Sequence, residues 1–331
     1  MIRVVHVSRK PQTQNYSVEG LFHTVRRHLP PDIAVEVAVA PWPSRGVSRR
    51  VRNTLWARRW REDGLVPHVT GDILYVAPAL GPATIVTIHD LGWVARGGVS
   101  QAIFETLWFR LPVRTVCAVT TDSAFIRGEL LRRVGCPSDR VHVVPCCYDP
   151  VFTTAPEHYH AERPVVLAVG TTANKNIERL CAALEGLRCE LHLVGPLSPS
   201  QRTAVSRHHI QARVSVGIAQ DAIVAAYHEA DIVAFPSWYE GFGLPIIEGQ
   251  ICGRPVLTSR AASMPEVAGA GACLIDPLDV SSIRTGLRRI MDSADYRAEL
   301  RTLGLENVRR FAPTTVAQQF ATLYRAVAAA S

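Results

Sequence analysis

Glu240-Gly241-Phe242-Gly243-Leu244-Pro245-Ile246-Ile247-Glu248 sets two carboxylates eight positions apart across a glycine-rich turn. Directly before it, Asp231-Ile232-Val233-Ala234-Phe235-Pro236-Ser237 reads as a short buried strand running into a loop. Pro245 suits a first helical position, where its fixed φ fits and its missing N–H would be unpaired in any case. The expected order is therefore strand, glycine-rich loop, then a helix from Pro245 to Cys252 with Glu248 in its first turn. Backbone N–H groups and the positive end of a helix dipole converge in such an arrangement, which favours an anionic or polyhydroxyl ligand. Glu240, at the loop entrance, reaches the same spot from the other side. The plainer reading is that Glu248 only stabilises the dipole and that the glycines only serve the turn.

Outward from this stretch the chain alternates strands and helices. After it, Val256–Thr258 and Cys273–Ile275 read as strands, followed by helices at Val280–Asp292, Tyr296–Arg310 and Thr314–Ala330. Before it come strands at Val165–Val169, Glu190–Val194, Val214–Val216 and Ile232–Ala234, with helices at Ile177–Leu187, Ser200–His208 and Asp221–Glu229. In the first half, strands are expected at Ile2–Val7, Ala34–Ala38, Ile73–Val76, Thr84–Ile88, Ala118–Thr121 and Val141–Val144. Helices are expected there at Val18–Leu29, at Gln101–Arg110 (ended by Pro112), and at Ser123–Val134, capped by Ser123 and closed by Gly135. This alternation implies parallel, doubly wound α/β sheets. The irregular stretch Tyr148–Pro164 reads as a linker between a domain over residues 1–155 and a second over 163–312.

The 331 residues, 47% apolar and 20% charged, fit a soluble globular protein of two domains. No apolar run reaches the ~18 residues of a membrane span, and the N-terminus lacks the pattern of a signal peptide. A cytoplasmic location is expected. The eight cysteines form no C-x-x-C pair and read as small buried hydrophobes in a reducing compartment. Residues 1–150 hold 19 Lys or Arg against 12 Asp or Glu, so the net charge of +7 lies entirely in the first half. Arg45, Arg49, Arg50, Arg52, Arg58, Arg59 and Arg61 crowd the segment 42–61, interleaved with Trp42, Trp56 and Trp60. Three readings stand open: a solvated segment, an anionic membrane surface met from the inner face of the cytoplasmic membrane, or nucleic acid bound through phosphates and stacking, the least favoured.

Two further strings sit at strand ends. Gly170-Thr171-Thr172-Ala173-Asn174-Lys175-Asn176 follows the strand from Val165. The chain has only two lysines, Lys10 and Lys175, beside 34 arginines, so a lysine there is a marked choice. Its compact ammonium suits a diphosphate, acting electrostatically where negative charge develops; a solvent-exposed loop lysine is the alternative. Thr87-Ile88-His89-Asp90-Leu91 places a histidine at a strand's carboxyl end, where open α/β sheets keep their ligand crevice. A structural His89 bonded to Asp90 is the alternative. No Asp-x-Asp triplet occurs, which argues against a metal-bridged diphosphate, so neither metal nor cofactor is expected.

The glycine-rich string resembles the E-x7-E signature of family 4 glycosyltransferases, retaining enzymes of the GT-B fold with two Rossmann-like domains facing across a cleft. The resemblance implies that Glu240 lies beside the donor sugar. It implies that Glu248 binds the nucleotide ribose, and that the Gly241, Phe242, Gly243 and Leu244 stretch contacts sugar and diphosphate. Gly170, Thr171 and Asn176 belong to the loop whose Lys175 binds the diphosphate; many members carry an arginine where this chain has Thr171. The Thr87–Leu91 string resembles one whose histidine, here His89, lines the donor sugar pocket. Ser263-Met264-Pro265-Glu266-Val267 resembles an element that buttresses that pocket, with Glu266 structural. The glycine pair common after the first strand is missing, leaving Arg9, Lys10 and Ser17 to meet an anionic acceptor. The final helix, 313–331, is expected to cross back onto the first domain. The implied activity is transfer of a sugar from a nucleoside diphosphate sugar to a saccharide or lipid-linked saccharide hydroxyl, in polysaccharide, lipopolysaccharide or glycolipid assembly. A nucleotide-sugar epimerase or phosphorylase on the same scaffold, and a non-catalytic protein binding anionic polymers or membranes, are the alternatives.

Overall fold

A computed structural model of the chain describes residues 1–10, 17–91 and 105–330. The chain divides into two units, one of Met1–Asp149 with Phe311–Ser331, the other of Pro150–Arg310. Each is an α/β sheet of six strands. In the first, β1 (Ile2–Ser8), β2 (Ile33–Val39), β3 (Leu65–Val69), β4 (Ile85–Ile88), β5 (Ala118–Thr121) and β6 (Val141–Val143) lie parallel in the order β2-β1-β3-β4-β5-β6. In the second, β7 (Val165–Val169), β8 (Glu190–Val194), β9 (Ala212–Ser215), β10 (Ile232–Phe235), β11 (Val256–Ser259) and β12 (Cys273–Ile275) lie parallel in the order β12-β11-β10-β7-β8-β9.

The two orders differ in kind. Counted from β7, the second sheet has the 3-2-1-4-5-6 order of dinucleotide-binding folds, while the first extends the flavodoxin-like 2-1-3-4-5 order. The winding reverses between β7 and β10 in one and between β1 and β3 in the other. The inner strands are buried runs of Val, Ile, Leu and Ala, as helices covering both faces require.

Several elements depart from expectation. Ile73–Val76 is no strand: Leu74–Val76 forms a 3-10 turn that runs into the short helix Ala77–Leu80. The strand in that region is β3, which carries a proline. Arginine-rich residues form a helix at Val47–Ala57 and a 3-10 turn at Arg58–Trp60. Gln101 to Phe104 of the expected helix, and Pro11 to Tyr16 of the first loop, lie outside the described residues. Thr106–Arg110 is a π-type turn continuing into the helix Leu111–Thr115. Pro112 thus opens a helix rather than ending one, since a first turn does not need its N–H. Ser123 does cap Ala124–Val134, accepting from the Ile126 N–H at 3.2 Å, and Gly135 closes it at φ +72°.

The helix Pro313–Ala330 packs on Ser17–His28, β1 and β3 within the first unit. Beneath it runs a buried polar chain. Arg26 Nη1 lies 3.4 Å from His6 Nδ1, His6 Nε2 lies 2.9 Å from the Tyr324 hydroxyl, and that hydroxyl lies 2.7 Å from His68 Nδ1. His68 Nε2 then meets Thr87 Oγ1, and Thr87 meets Thr120, both at 2.7 Å. Arginine only donates, so His6 accepts at Nδ1 and carries its proton on Nε2. The Tyr324 oxygen accepts that N–H and its own O–H donates to His68 Nδ1, so His68 donates from Nε2 to Thr87. The protons are thereby oriented from Arg26 as far as Thr87. Burial holds both imidazoles neutral, lowering His6 well below its ordinary range and His68 to about 3.

The 150–164 segment is strapped to the second unit. The Asp231 carboxylate accepts from the N–H groups of His160 and Val165 at 2.9 and 2.7 Å and from His160 Nδ1 at 2.9 Å. Arg254 donates to the Pro156 carbonyl at 2.9 Å and meets His158 Nδ1 at 3.1 Å. His158, His160 and Asp231 cluster closely enough to suggest a metal, but the Arg254 guanidinium already places a fixed cation there. All eight cysteines are free, and all but Cys117 are buried. Among the described residues, no helix is long and apolar enough to cross a membrane.

Candidate functional site

Two loops leave the carboxyl ends of β7 and β10, the strands between which the second sheet reverses its winding. The first carries Lys175 and the second Glu240. Lys175 Nζ donates to Glu240 Oε1 at 2.8 Å and lies 4.3 Å from the centroid of the Phe235 ring, whose face attracts a cation. Asn174 Nδ2 donates to the same Oε1 at 2.8 Å and to the Tyr239 carbonyl at 3.0 Å. The Lys175 and Glu240 side chains are 17% and 15% exposed, so each is mostly buried yet still reaches solvent. Residues 65 positions apart in sequence thus meet at the point where open α/β sheets hold ligands.

The loop geometry follows from its residues. Gly170 adopts φ +86°, and a Cβ there would lie 2.9 Å from Lys175 Cε, so glycine makes room for the lysine stem. Asn176 takes the left-handed conformation at φ +63° and is 1% exposed. Its amide nitrogen donates to the Pro236 and Pro277 carbonyls at 3.0 and 2.7 Å, and its oxygen accepts from Arg179 at 3.0 Å. Asn176 was expected among the ligand contacts; the structure instead makes it a buried staple joining the loops after β7, β10 and β12. Thr171 likewise turns away, its hydroxyl donating to the Pro196 carbonyl at 2.6 Å. Ser263 Oγ, buried, lies 3.0 and 2.8 Å from the Glu240 and Phe242 carbonyls, and Thr258 donates to the Phe235 carbonyl at 2.9 Å. Ser263 belongs to the Ser263–Val267 string singled out in the sequence, whereas Thr258 gave no such signal because it acts through a backbone carbonyl.

The helix after the loop is Leu244–Ile251. It starts one residue before Pro245, so Glu248 is in its second turn, not its first. Gly243 caps it at φ +111°. The Phe242 side chain is buried, which leaves backbone as what that residue offers a ligand. Glu248 is half-buried, and its Oε2 accepts from the Tyr227 hydroxyl at 2.5 Å. Burial, followed by the nearby Glu248 charge, pushes the Tyr227 phenol well above its ordinary range, so it stays a donor.

The first unit has its own cavity of about 280 Å³, lined in part by Arg50, Asp72, His89, Asp90 and Trp108. His89 Nδ1 lies 2.7 Å from Asp122 Oδ2 and Nε2 lies 3.1 Å from the Thr70 carbonyl. Burial alone would lower this imidazole, but the Asp122 carboxylate and the Thr70 carbonyl outweigh it and raise His89 to about 9. His89 is therefore a cation with both N–H groups donated inside its own unit. Its partner is Asp122, not Asp90. Arg9 pairs with Glu19 at 2.9 Å and Asp72 at 2.7 Å.

Two doubly wound units, with a lysine–glutamate pair at the switch point of the second, are those of the GT-B fold. Residues 163–293 match the family described as glycosyl transferases group 1. It is 30% identical over 226 residues to the MMP alpha-(1->4)-mannosyltransferase of Mycolicibacterium hassiacum, covering 64% of this chain and 54% of that one. It is 28% identical over 214 residues to O-antigen chain mannosyltransferase B of Escherichia coli, covering 58% and 56%. The chain thus matches about half the length of these curated relatives. Among solved structures, sucrose-phosphate synthase from Thermosynechococcus elongatus aligns with TM-score 0.78 at 18% identity over 99% of this chain and 100% of that one. Anabaena Alr3699/HepE, solved with UDP-glucose, aligns with TM-score 0.77 at 15% identity over 98% and 99%.

Proposed function

We propose that the chain transfers a sugar from a nucleoside diphosphate sugar to a hydroxyl acceptor, with retention at the anomeric carbon, in polysaccharide, lipopolysaccharide or glycolipid assembly. The observation that carries this reading is the 2.8 Å Lys175–Glu240 pair at the β7/β10 switch point. Departure of a nucleoside diphosphate builds negative charge on the leaving phosphate while the sugar becomes cationic. A fixed ammonium beside a fixed carboxylate matches that separation of charge. Lys175 serves the phosphate, helped by the N-terminus of the Leu244–Ile251 helix, and Glu240 serves the sugar. Glu248, oriented by Tyr227 at Oε2, serves the ribose hydroxyls. No step is assigned to a metal, because Lys175 and the helix end supply the positive charge. His89, a cation with both protons donated, shapes its cavity instead of moving a proton. The two mannosyltransferase relatives and the UDP-glucose bound by the Anabaena neighbour support a nucleotide-sugar donor.

A thermal-shift panel of uridine, guanosine and adenosine diphosphate sugars tests the donor. One of them should raise the melting temperature, and anomeric proton couplings of the product should then show retention. A donor that stabilises the protein but is epimerised without acceptor, or is cleaved by inorganic phosphate, would overturn the transferase reading. No shift with any donor would leave only a binding role.

A further inference from the structure

We propose that the first unit docks on an anionic lipid surface through the helix Val47–Ala57 and the adjoining segment 106–115. The helix buries only Asn53 and Ala57. On its other side Val47, Val51 and Leu55 are 76%, 51% and 54% exposed. Four-residue spacing puts them in one row along the helix. Leu107 and Leu111, also four apart, are 48% and 44% exposed. The Arg50 guanidinium lies 4.2 Å from the centroid of the Trp108 ring and joins the two elements. Singly scattered exposed aliphatics are ordinary; two rows of them, on elements bridged by the Arg50–Trp108 contact, exceed that.

Charge identifies the partner. Residues 37–61 contain seven arginines and no acidic residue. Arg45, Arg49, Arg52 and Arg58 are exposed, and among the described residues none of them forms an ion pair. Aliphatics in a row flanked by unpaired guanidinium groups have the composition of a helix lying in a bilayer interface. A second copy of the chain would bring like charges together. Nucleic acid would want exposed aromatic platforms, yet Trp42, Trp56 and Trp60 are half-buried, and Asn53 holds Trp42 by its backbone at 3.3 and 2.8 Å. The tryptophans that mark this segment in the sequence are therefore not its outermost apolar groups; the valines and leucines are. The docking does not depend on the transferase reading, and vesicle binding measures it without any donor.

Co-sedimentation tests it, using phosphatidylcholine vesicles with and without about one third phosphatidylglycerol. Wild-type protein should pellet only with the anionic vesicles. Arg49→Ser/Arg52→Ser/Arg58→Ser should weaken binding roughly a hundredfold. Val51→Ser/Leu55→Ser should weaken it roughly tenfold and remove the part that survives high salt. Unchanged melting temperatures identify folded variants, and Val47→Ser repeats the apolar readout if the pair melts early. Wild type staying in the supernatant, or a serine pair that binds like wild type, would overturn the proposal. So would a wild-type dimer that the serine pair dissociates.

Discussion

Tyr227, sealed in the core of the second unit, donates its hydroxyl to Oε2 of Glu248. Phe152 packs edge-on against its ring at 5.4 Å, so the phenol has one orientation and fixes the carboxylate it touches. Glu248 is expected to contact the nucleotide ribose. Tyr227→Phe should then raise KM for the nucleotide sugar about tenfold while kcat stays within about twofold. Steady-state kinetics with the donor varied gives this split; a fall in kcat alone would contradict it.

Lys175 and Glu240 carry the proposed charge separation. Lys175→Ala and Glu240→Ala should each lower kcat by about a hundred- to a thousandfold, as loss of one preorganised electrostatic group does. Both variants should remain folded by circular dichroism. Wild-type turnover in the two together would remove the mechanism.

Asn176 links three loops through one buried side chain. Asn176→Gly keeps the left-handed backbone but leaves two buried carbonyls without a donor, at about 2–4 kcal/mol. Asn176→Ala adds roughly 1 kcal/mol of backbone strain. Urea denaturation should rank wild type above glycine and glycine above alanine. Equal stability of the two variants would show that the φ of +63° carries no strain.

The His89–Asp122 pair makes stability pH-dependent. The folded-state value of about 9 lies above the ordinary histidine value of 6.5. Protonation therefore favours the folded state fully below pH 6.5, and that contribution is lost as pH rises through about 9. Its size is about 3 kcal/mol at most. Asp122→Asn should abolish this loss between pH 6.5 and 9 and return the His89 titration toward or below 6.5, read from its imidazole proton shifts. A titration unmoved by the substitution would mean that another group sets it.

How much of this was legible in the sequence depended on where each residue's partner lies. β7 was readable residue for residue because its apolar run is bounded by Pro164 and Gly170, and β8 because its alternating Leu191 and Leu193 lead through Val194 to a stop at Gly195. The cap at Ser123 and the stop at Gly135 were readable because both act within a few positions of themselves. β3 was not. Pro67 sits inside it and a proline argues against an inner strand, but pairing with β4 begins at His68, one residue past it. His68 looks too polar for a core until Tyr324, 256 positions later, supplies its partner. Lys175 and Glu240 stood out as residue types at strand ends, while their 2.8 Å contact needed the fold. Asn176 and Thr171 sit in a motif loop yet face backbone carbonyls, and a one-dimensional pattern does not tell a ligand contact from a staple.

The hydrogen-bonded relay under the last helix also constrains how the molecule is made. His6 waits for an oxygen 318 positions downstream, whereas the Pro150–Arg310 unit draws on one uninterrupted stretch of chain. During synthesis the segment that starts later therefore has all its partners out of the ribosome sooner. The amino-terminal half must leave His6 Nε2 and His68 Nδ1 without their shared hydroxyl until residue 324 has been made.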